Sequence, residues 1–192
     1  MADQHQQKEE LRQQLLDQRK AISEVEFKRA SQQIIQRLRQ QTEFEQAKTI
    51  HCYVSMNDRR EVDTHAFLKE MIEEEKNVVV PVTNFQDGTL THVALPSFDV
   101  LEANKWGVPE PNGGREVSPQ KLELVIVPMV AGDERGNRIG YGEGFYDRFL
   151  SQVDCPKIGL IFEQNVIDQL PVEDFDVRLD KIITEARVIH HK

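Results

Sequence analysis

Apolar residues recur with the helical period in some segments and form short unbroken runs in others, which predicts alternating helices and strands. A charged segment from Gln7 to Ala21 carries only a narrow stripe of leucines and is predicted to be a helix. Ser23 stands three residues before Glu26, the spacing of a capping box, so a second helix is predicted to begin there. Further helices are predicted at about Thr64–Lys76 and Gly144–Val153, with shorter helical segments at Ser118-Pro119 and Val166–Leu170.

Short apolar runs between these segments predict buried strands. The strongest is Leu122–Pro128, and others are predicted at Thr49–Ser55, Val78–Val82 and Lys157–Phe162. Asp87-Gly88 predicts a hairpin into Thr89–Leu95, Phe98–Arg115 is predicted to be a long connection, and extended pieces follow at Lys181–Ile183 and Arg187–Ile189. This alternation favours an α/β fold, and we predict a single-domain three-layer α/β/α sandwich with a mostly parallel sheet.

The composition disfavours a protein that wraps a nucleic acid, while a few local basic residues could still bind a small anion. The chain has 192 residues and a net charge of −9, and such an excess of negative charge disfavours binding to a nucleic-acid backbone. No apolar run approaches the ~20 residues of a membrane span, and the polar amino terminus lacks a secretory signal, so we expect a cytoplasmic protein. Cys52 and Cys155 lack metal-site spacing and are expected to be reduced. One domain over residues 1–192 and a monomeric state are also expected.

The glycine-rich segment Gly136–Leu150 holds the densest candidate chemistry. It is predicted to follow the strongest strand directly and to run into a helix, which is where α/β folds bind ligands. Three alternating glycines allow close approach to an anion, and the helix start adds about half a positive charge. Arg138 can contact a phosphate, and Asp147 can hold Mg²⁺ or simply complement the helix dipole. The alternative is a tight turn whose glycines serve backbone geometry alone.

The known sequence motifs of nucleotide-binding and catalytic sites limit the possible functions only because they are absent. The segment lacks GxxxxGK[ST], and Phe145 stands where a dinucleotide fingerprint would continue with glycine. HExxH, GxSxG and CxxC are also absent, which excludes the corresponding metalloprotease, serine hydrolase and zinc-site signatures.

The string R-I-G-Y-G-E-G-F-Y-D-R-F-L, preceded by LVIVP and D-x-x-G-N, resembles the signature of the 5-formyltetrahydrofolate cyclo-ligase (methenyltetrahydrofolate synthetase) family. Other pieces resemble family elements in the same order, so that the likeness covers nearly the whole chain. They are K-x-x-L-R at Lys8–Arg12, Y-V-S-M-N-D-R-R-E-V-D-T, W-G-V-P-E-P and F-D-V-R-L-D-K-I-I-T-E. The resemblance implies the scaffold of sugar-phosphate isomerases and CoA transferases.

The resemblance also implies an activity and a set of site residues. The family closes 5-formyltetrahydrofolate to 5,10-methenyltetrahydrofolate while ATP becomes ADP and phosphate, with Mg²⁺ required, by phosphorylating the formyl oxygen. ATP binding is implied for Lys8, Glu9, Glu10, Leu11, Arg12, Arg138, Ile139, Gly140, Tyr141, Gly142, Glu143, Gly144, Phe145 and Tyr146. Substrate binding is implied for Val54, Met56, Glu61, Trp106, Tyr141 and Phe145, catalysis for Glu61, Arg138 and Tyr146, and Mg²⁺ binding for Asp147 and Asp180.

Several of these residues also have ordinary structural explanations. Lys8 and Arg12 lie on one face of a polar helix, where solvated charge is the usual arrangement. Trp106 can be a loop anchor, and Asp180 can pair with Arg178 or Lys181. Val54 and Met56 can be strand-end core residues, and Glu61 lies in a charged loop.

The chain departs from the family pattern at a few positions. Glu143 brings an acidic side chain next to the implied phosphates, Gly132 stands where phenylalanine is common, and Arg59-Arg60 lengthens the substrate loop. Two other functions use a similar scaffold: a sugar-phosphate isomerase or CoA-transferase relative, and a non-catalytic nucleotide- or folate-binding regulator. An ATP requirement and product formation distinguish them from the cyclo-ligase.

Overall fold

A seven-stranded sheet forms the centre of the computed structural model, which describes residues 2–191, the side chains of residues 2 and 3 excepted. The ends of the predicted 1–192 domain, Met1 and Lys192, lie outside that range. The strand order is β12-β11-β9-β6-β1-β2-β3. These strands are β1 (Thr49–Cys52), β2 (Asn77–Asn84), β3 (Thr89–Ala94), β6 (Leu124–Pro128), β9 (Lys157–Leu160), β11 (Lys181–Ile183) and β12 (Val188–His190). The central strands are parallel and both edge strands are antiparallel, so the predicted fold class is confirmed.

Within residues 2–191 five α-helices accompany the sheet: α1 (Ala2–Lys20), α2 (Glu24–Arg39), α3 (Thr42–Gln46), α4 (His65–Glu73) and α5 (Phe145–Leu150). Apolar side chains of α2 and α4 pack with one face of the sheet, and those of the short α5 pack with the other. Ser23 caps α2 by accepting a hydrogen bond from the Glu26 N–H, as the capping-box spacing predicts. None of the helices within residues 2–191 is long and apolar enough to cross a membrane.

Helix α1 packs with charged as well as apolar side chains turned inward. Lys8, Arg12, Leu15 and Arg19 are its buried residues, and their spacing puts them on one face. This explains the narrow leucine stripe, because guanidinium and ammonium groups make up most of the buried face. The alternative of solvated charge at Lys8 and Arg12 is therefore wrong.

Two small sheets lie outside the central one. Strands β7 (Ala131–Asp133) and β8 (Arg138–Ile139) form a hairpin between β6 and the three alternating glycines of residues 140–144. The prediction that the glycine-rich segment follows β6 directly is therefore wrong. The segment predicted to be helical near Val166–Leu170 begins instead as strand β10 (Val166–Ile167), because its backbone pairs with β7. The predicted long connection contains a second hairpin, β4 (Leu101–Ala103) with β5 (Pro109–Pro111).

The β7–β8 turn explains the D-x-x-G-N motif in structural terms. The Asp133 carboxylate is fully buried and accepts hydrogen bonds from the N–H groups of Arg135, Asn137 and Leu170. Gly132 is closely packed, since a Cβ there would lie 2.8 Å from the Met129 Cε and 3.0 Å from the Ile182 Cδ1. The smaller residue at this position therefore fits its surroundings.

Candidate active site

A cavity of about 420 Å³ opens at the carboxyl ends of β1, β2 and β6. The chain leaves β1 towards β2 on one side and leaves β6 towards β9 on the other, so β1 and β6 flank a switch point of the sheet. Crevices at such points are the usual ligand sites of α/β folds. The loop after β1, which we call the Glu61 loop (residues 53–63), forms one wall. The glycine loop (residues 140–144) forms another.

The glycine loop is shaped by two left-handed glycines and by an arginine from α1. Gly142 has φ +101° and Gly144 has φ +68°, conformations that side chains other than glycine rarely adopt. The Arg12 Nε donates to the Gly140 carbonyl at 2.8 Å, and a Cβ on Gly142 would lie 3.2 Å from the Arg12 guanidinium. The loop is therefore closely packed over a buried cation, and Arg12 (7% exposed) helps to fix its shape.

Arg138 and Tyr146 lie at the base of the glycine loop with hydrogen-bonding capacity left over. The Arg138 Nη2 donates to Asp147 at 2.8 Å, while its Nε and the Tyr146 hydroxyl have no partner within the described chain. Burial raises the pKa of Tyr146, which keeps its hydroxyl protonated and able to donate. Unsatisfied donors of this kind are costly unless a ligand engages them, so this corner of the cavity is suited to an anion.

Lys8 is held at the cavity wall by two carboxylates of the segment before β11. Its ammonium lies 2.6 Å from Asp176 and 2.9 Å from Glu173, and the residue is 6% exposed. The hydrogen bond from Lys8 lowers the pKa of Glu173. A cation and two carboxylates thus meet beside the glycine loop. A bound phosphate needs the positive charge and a metal ion beside it needs the negative charges, so this arrangement suits a metal–phosphate pair.

Glu61 is a buried carboxylate on the opposite wall. It is 4% exposed, and its Oε2 accepts from the Met56 N–H at 2.6 Å while its Oε1 accepts from the Tyr141 hydroxyl. Burial raises the pKa of Glu61, and the Met56 and Tyr141 hydrogen bonds act in the opposite direction. Paired bonds between Ser55 and Thr64 close the base of the loop at 3.0–3.1 Å.

Three aromatic rings form the outer part of the cavity. Trp106 is 54% exposed and lies 5.3 Å from the Phe85 ring, which in turn meets Phe145 edge-on at 5.7 Å. Glu110 braces this region by accepting from the Thr83 N–H and from the Asn104 side chain. Exposed aromatic faces at a cavity mouth suit a flat heterocycle.

Most of the residues implied by sequence resemblance meet in this cavity. It is lined by Lys8, Arg12, Val54, Met56, Glu61, Trp106, Arg138, Gly140, Tyr141, Gly142, Glu143, Gly144, Phe145, Tyr146 and Asp147. Val54 also belongs to the core, so its structural explanation holds as well. The Glu143 side chain is exposed, and its carbonyl accepts from Arg148.

Four residues of the implied ATP site lie elsewhere. The carboxylate of Glu9 pairs with Arg12, and that of Glu10 accepts from Gln6, both on the exposed side of α1. Leu11 and Ile139 pack in an apolar cluster behind the cavity. They support the wall and do not line the site.

Asp180 is not near the other implied metal ligand. Its carboxylate accepts from the Lys157 N–H at 2.8 Å, at the amino end of β9, whereas the cavity opens at carboxyl ends. Asp176, by contrast, lines the cavity, and the next residue, Val177, donates its N–H to Asp147 at 3.2 Å. No group of three or more metal-ligating side chains occurs among the described residues, but Mg²⁺ beside a nucleotide needs only one or two carboxylates. Asp147 and Asp176 fit that requirement.

Sequence reasoning missed several contributors to the site. Arg19, Phe85, Glu173, Phe175 and Asp176 were not singled out, and all but Arg19 line the cavity. The spacing of Lys8, Arg12 and Arg19 on one helix face was the available signal for Arg19. Phe175 and Asp176 open the F-D-V-R-L-D stretch, for which the family likeness implies a role only at Asp180.

Comparison with known proteins identifies relatives along nearly the whole chain. A profile described as "5-formyltetrahydrofolate cyclo-ligase family" matches residues 4–185. The 5-formyltetrahydrofolate cyclo-ligase of Escherichia coli K12 is 30% identical over 88% of this chain and 96% of the relative, and that of Mus musculus is 29% identical over 91% and 92%. The NMR structure of the Aquifex aeolicus 5,10-methenyltetrahydrofolate synthetase matches with a TM-score of 0.85 and 31% identity, covering 96% of this chain and 93% of that chain. The chain therefore belongs to the 5-formyltetrahydrofolate cyclo-ligase family of enzymes.

Proposed function

We propose that this protein uses ATP to cyclise 5-formyltetrahydrofolate to 5,10-methenyltetrahydrofolate, releasing ADP and phosphate. Family membership and the structural neighbours support methenyltetrahydrofolate synthetase activity. The observation that carries the ATP-dependent form is the two-sided cavity. An anion-binding corner at Arg138 faces a buried carboxylate at Glu61, with aromatic rings at the mouth.

The nucleotide side consists of the glycine loop and the cations around it. Arg138 has a free Nε for a phosphate oxygen, and Arg12 holds the loop from behind. The Lys8 ammonium can contact a further phosphate oxygen of the nucleotide if it binds that oxygen and the Asp176 carboxylate at the same time. Fixed donors of this type stabilise a transferring phosphoryl group because they need no reorganisation during the reaction.

The chemical difficulty is that the formamide oxygen is a poor leaving group. That oxygen attacks the γ-phosphorus, and the bond from phosphorus to the ADP oxygen breaks. The second folate nitrogen then attacks the formyl carbon, the carbon–oxygen bond breaks, and phosphate leaves as this nitrogen loses its proton. The protein's contribution is to hold both substrates in line and exclude water.

The residues suited to Mg²⁺ are Asp147 and Asp176. Bound Mg²⁺ would neutralise phosphate charge, which lowers the barrier to phosphoryl transfer. Asp147 is already oriented by Arg138 and by the Val177 N–H, and Asp176 by Lys8 and the Glu173 N–H. On binding Mg²⁺, each carboxylate would give up some of these hydrogen bonds and coordinate the metal ion instead.

The folate side is formed by Glu61 and the aromatic rings. The Glu61 carboxylate can accept a hydrogen bond from the pterin or from the formyl-bearing nitrogen. Phe85, Trp106 and Phe145 offer faces to the flat ring system.

The test is an absorbance assay for the methenyl product, with the purified protein, 5-formyltetrahydrofolate, Mg²⁺ and ATP. We expect product only when ATP is present, with one ADP formed per product. Turnover without nucleotide would favour an isomerase-like or transferase enzyme and would overturn the proposal. Ligand binding that raises the melting temperature without any product would favour a binding regulator and would equally overturn it.

A matched pair of variants tests the metal assignment. Asp176→Asn should raise the Mg²⁺ concentration needed for half-maximal rate by roughly tenfold or more, since a charged ligand is lost. Asp180→Asn, which changes an acidic residue only four positions away, should leave that concentration unchanged. Equal effects of the two changes would contradict the assignment.

A further inference from the structure

A hydrogen-bonded chain of three side chains connects α1 to the Glu61 loop through the glycine loop. The Arg19 Nη2 donates to the Tyr141 hydroxyl at 2.6 Å, and that hydroxyl donates to the Glu61 carboxylate. Arg19 comes from α1, Tyr141 from the glycine loop and Glu61 from the loop after β1. The two walls of the cavity are thus joined by one phenolic oxygen.

Arg19 is fixed by its other hydrogen bonds, and it therefore determines which group donates and which accepts along this series of hydrogen bonds. It is 2% exposed, and its other donors bind the carbonyls of Arg59 and Met129 at 3.0 Å each. A phenol has a single proton, so a Tyr141 oxygen that accepts from Arg19 has its own proton free for Glu61. The guanidinium therefore orients the hydroxyl as a donor to the carboxylate.

We infer that Tyr141 and Arg19 are positioning residues for Glu61, which aim its carboxylate at the folate while tying the glycine loop to the Glu61 loop. The role of Glu61 in turnover rests on the proposed function. The positioning itself rests on the contacts alone. Neither Tyr141 nor Arg19 is asked to touch a reacting atom.

The surroundings of Glu61 explain why this support matters. Its titratable and charged neighbours are Arg19 from α1, Arg59 from its own loop, Tyr141 from the glycine loop, Tyr53 after β1 and Tyr146 from α5. Burial raises the pKa of Glu61, and the Tyr141 hydrogen bond, together with Arg19 and Arg59, opposes that effect. Removing the hydroxyl would leave the carboxylate with the Met56 N–H as its remaining hydrogen bond in the described chain.

The variant Tyr141→Phe tests this directly through a pH profile of kcat/KM. A hydrogen bond to a charged group is strong enough that its loss should move the acidic limb upward by roughly one to two pH units. Activity should then recover as the pH rises above the new midpoint. Arg19→Lys should move the limb in the same direction by a smaller amount, because it keeps the charge and loses the fork geometry.

The matched control is Tyr53→Phe. It removes another buried tyrosine hydroxyl beside the cavity, one that donates to the Val62 carbonyl at 3.0 Å and not to Glu61. We expect a lower melting temperature for this variant and an unchanged midpoint. A Tyr141→Phe profile reduced by one factor at every pH, with the midpoint unmoved, would overturn the inference.

A measurement without substrate separates this inference from the proposed function. The Glu61 side-chain carboxyl can be titrated by ¹³C NMR, with Glu61→Gln to assign its signal. We expect its midpoint to rise by roughly one to two pH units in Tyr141→Phe, whether or not the protein makes the methenyl product. An inactive protein that shows this rise would refute the proposed function alone, whereas an active protein without it would refute the positioning role.

Discussion

Two histidines that are distant in sequence meet in the core behind the cavity, and their contacts predict an acid-sensitive fold. The His51 and His92 rings lie 5.1 Å apart, and both pack against Phe149 at 4.7 and 4.1 Å. Both ring nitrogens of His51 and the Nδ1 of His92 have no partner in the described chain. A proton added to either ring would therefore be buried without a counter-charge.

The magnitude follows from the difference in proton affinity between the folded and unfolded chain. Burial lowers the pKa of His92 from 6.5 to about 4 and that of His51 well below its ordinary value. The unfolded chain binds protons first, so stability falls as the pH drops through 6.5 and levels off below the folded pKa. For His92 the full loss is about 3 kcal/mol, of which about 2 kcal/mol is lost between pH 7 and pH 5.

The assay is urea unfolding at a series of pH values between 8 and 5, followed by circular dichroism. The variant His92→Gln should lose about 2 kcal/mol less stability than the parent protein over pH 7 to 5, since it lacks the titrating ring. His191→Gln removes an exposed histidine and should follow the parent curve. A His92→Gln curve parallel to that of the parent would refute the reasoning.

Three further predictions concern packing, the glycine loop and thiol reactivity. Gly159→Ala should destabilise the protein by about 1–3 kcal/mol in urea unfolding, because its Cβ would lie 2.6 Å from the Leu179 Cδ1; an unchanged midpoint would contradict this. Arg148→Ala should raise the KM for ATP at nearly constant melting temperature, because Arg148 ties the Glu143 carbonyl to Gly88 at 2.7 Å each; an unchanged KM would argue against that tie. At pH 8 a thiol reagent should modify only the half-buried Cys155 in the folded protein and both thiols after denaturation, since Cys52 is 0% exposed and out of reach of the reagent; early reaction of both would disprove it.

The fold class could be predicted because its signals are local. The strand β6 is an unbroken apolar run, and the apolar residues of α2 recur with the helical period. The buried positions of each element can therefore be predicted from its own sequence. Strand β10 could not be recognised in this way. Its two residues are extended because β7 lies beside them, a partner more than thirty positions away in the chain.

The candidate site likewise contains residues that could be predicted from the sequence and residues that only the folded structure brings to it. The glycine loop, Arg138 and Asp147 form a contiguous motif, and contiguous chemistry is readable without coordinates. Asp180 was expected beside Asp147, but the structure places it away from the cavity, and only the sheet determines which of Asp176 and Asp180, four residues apart, lies near Asp147. The Asp180 carboxylate accepts a hydrogen bond from the Lys157 N–H at the amino end of β9, whereas the Asp176 carboxylate pairs with Lys8 at the cavity.

The amino-acid pattern alone was sufficient to predict the alternation of helices and strands, the family likeness and the position of the glycine loop before a helix, because these depend on neighbours within a few residues. The connection from Arg19 through Tyr141 to Glu61 and the meeting of His51 with His92 depended on the folded chain. In each case the partners come from separate elements, and hydrogen bonds and desolvation act over a few ångströms of space regardless of the sequence distance. Three-dimensional packing therefore decides which of the buried polar groups are paired and which are left to titrate.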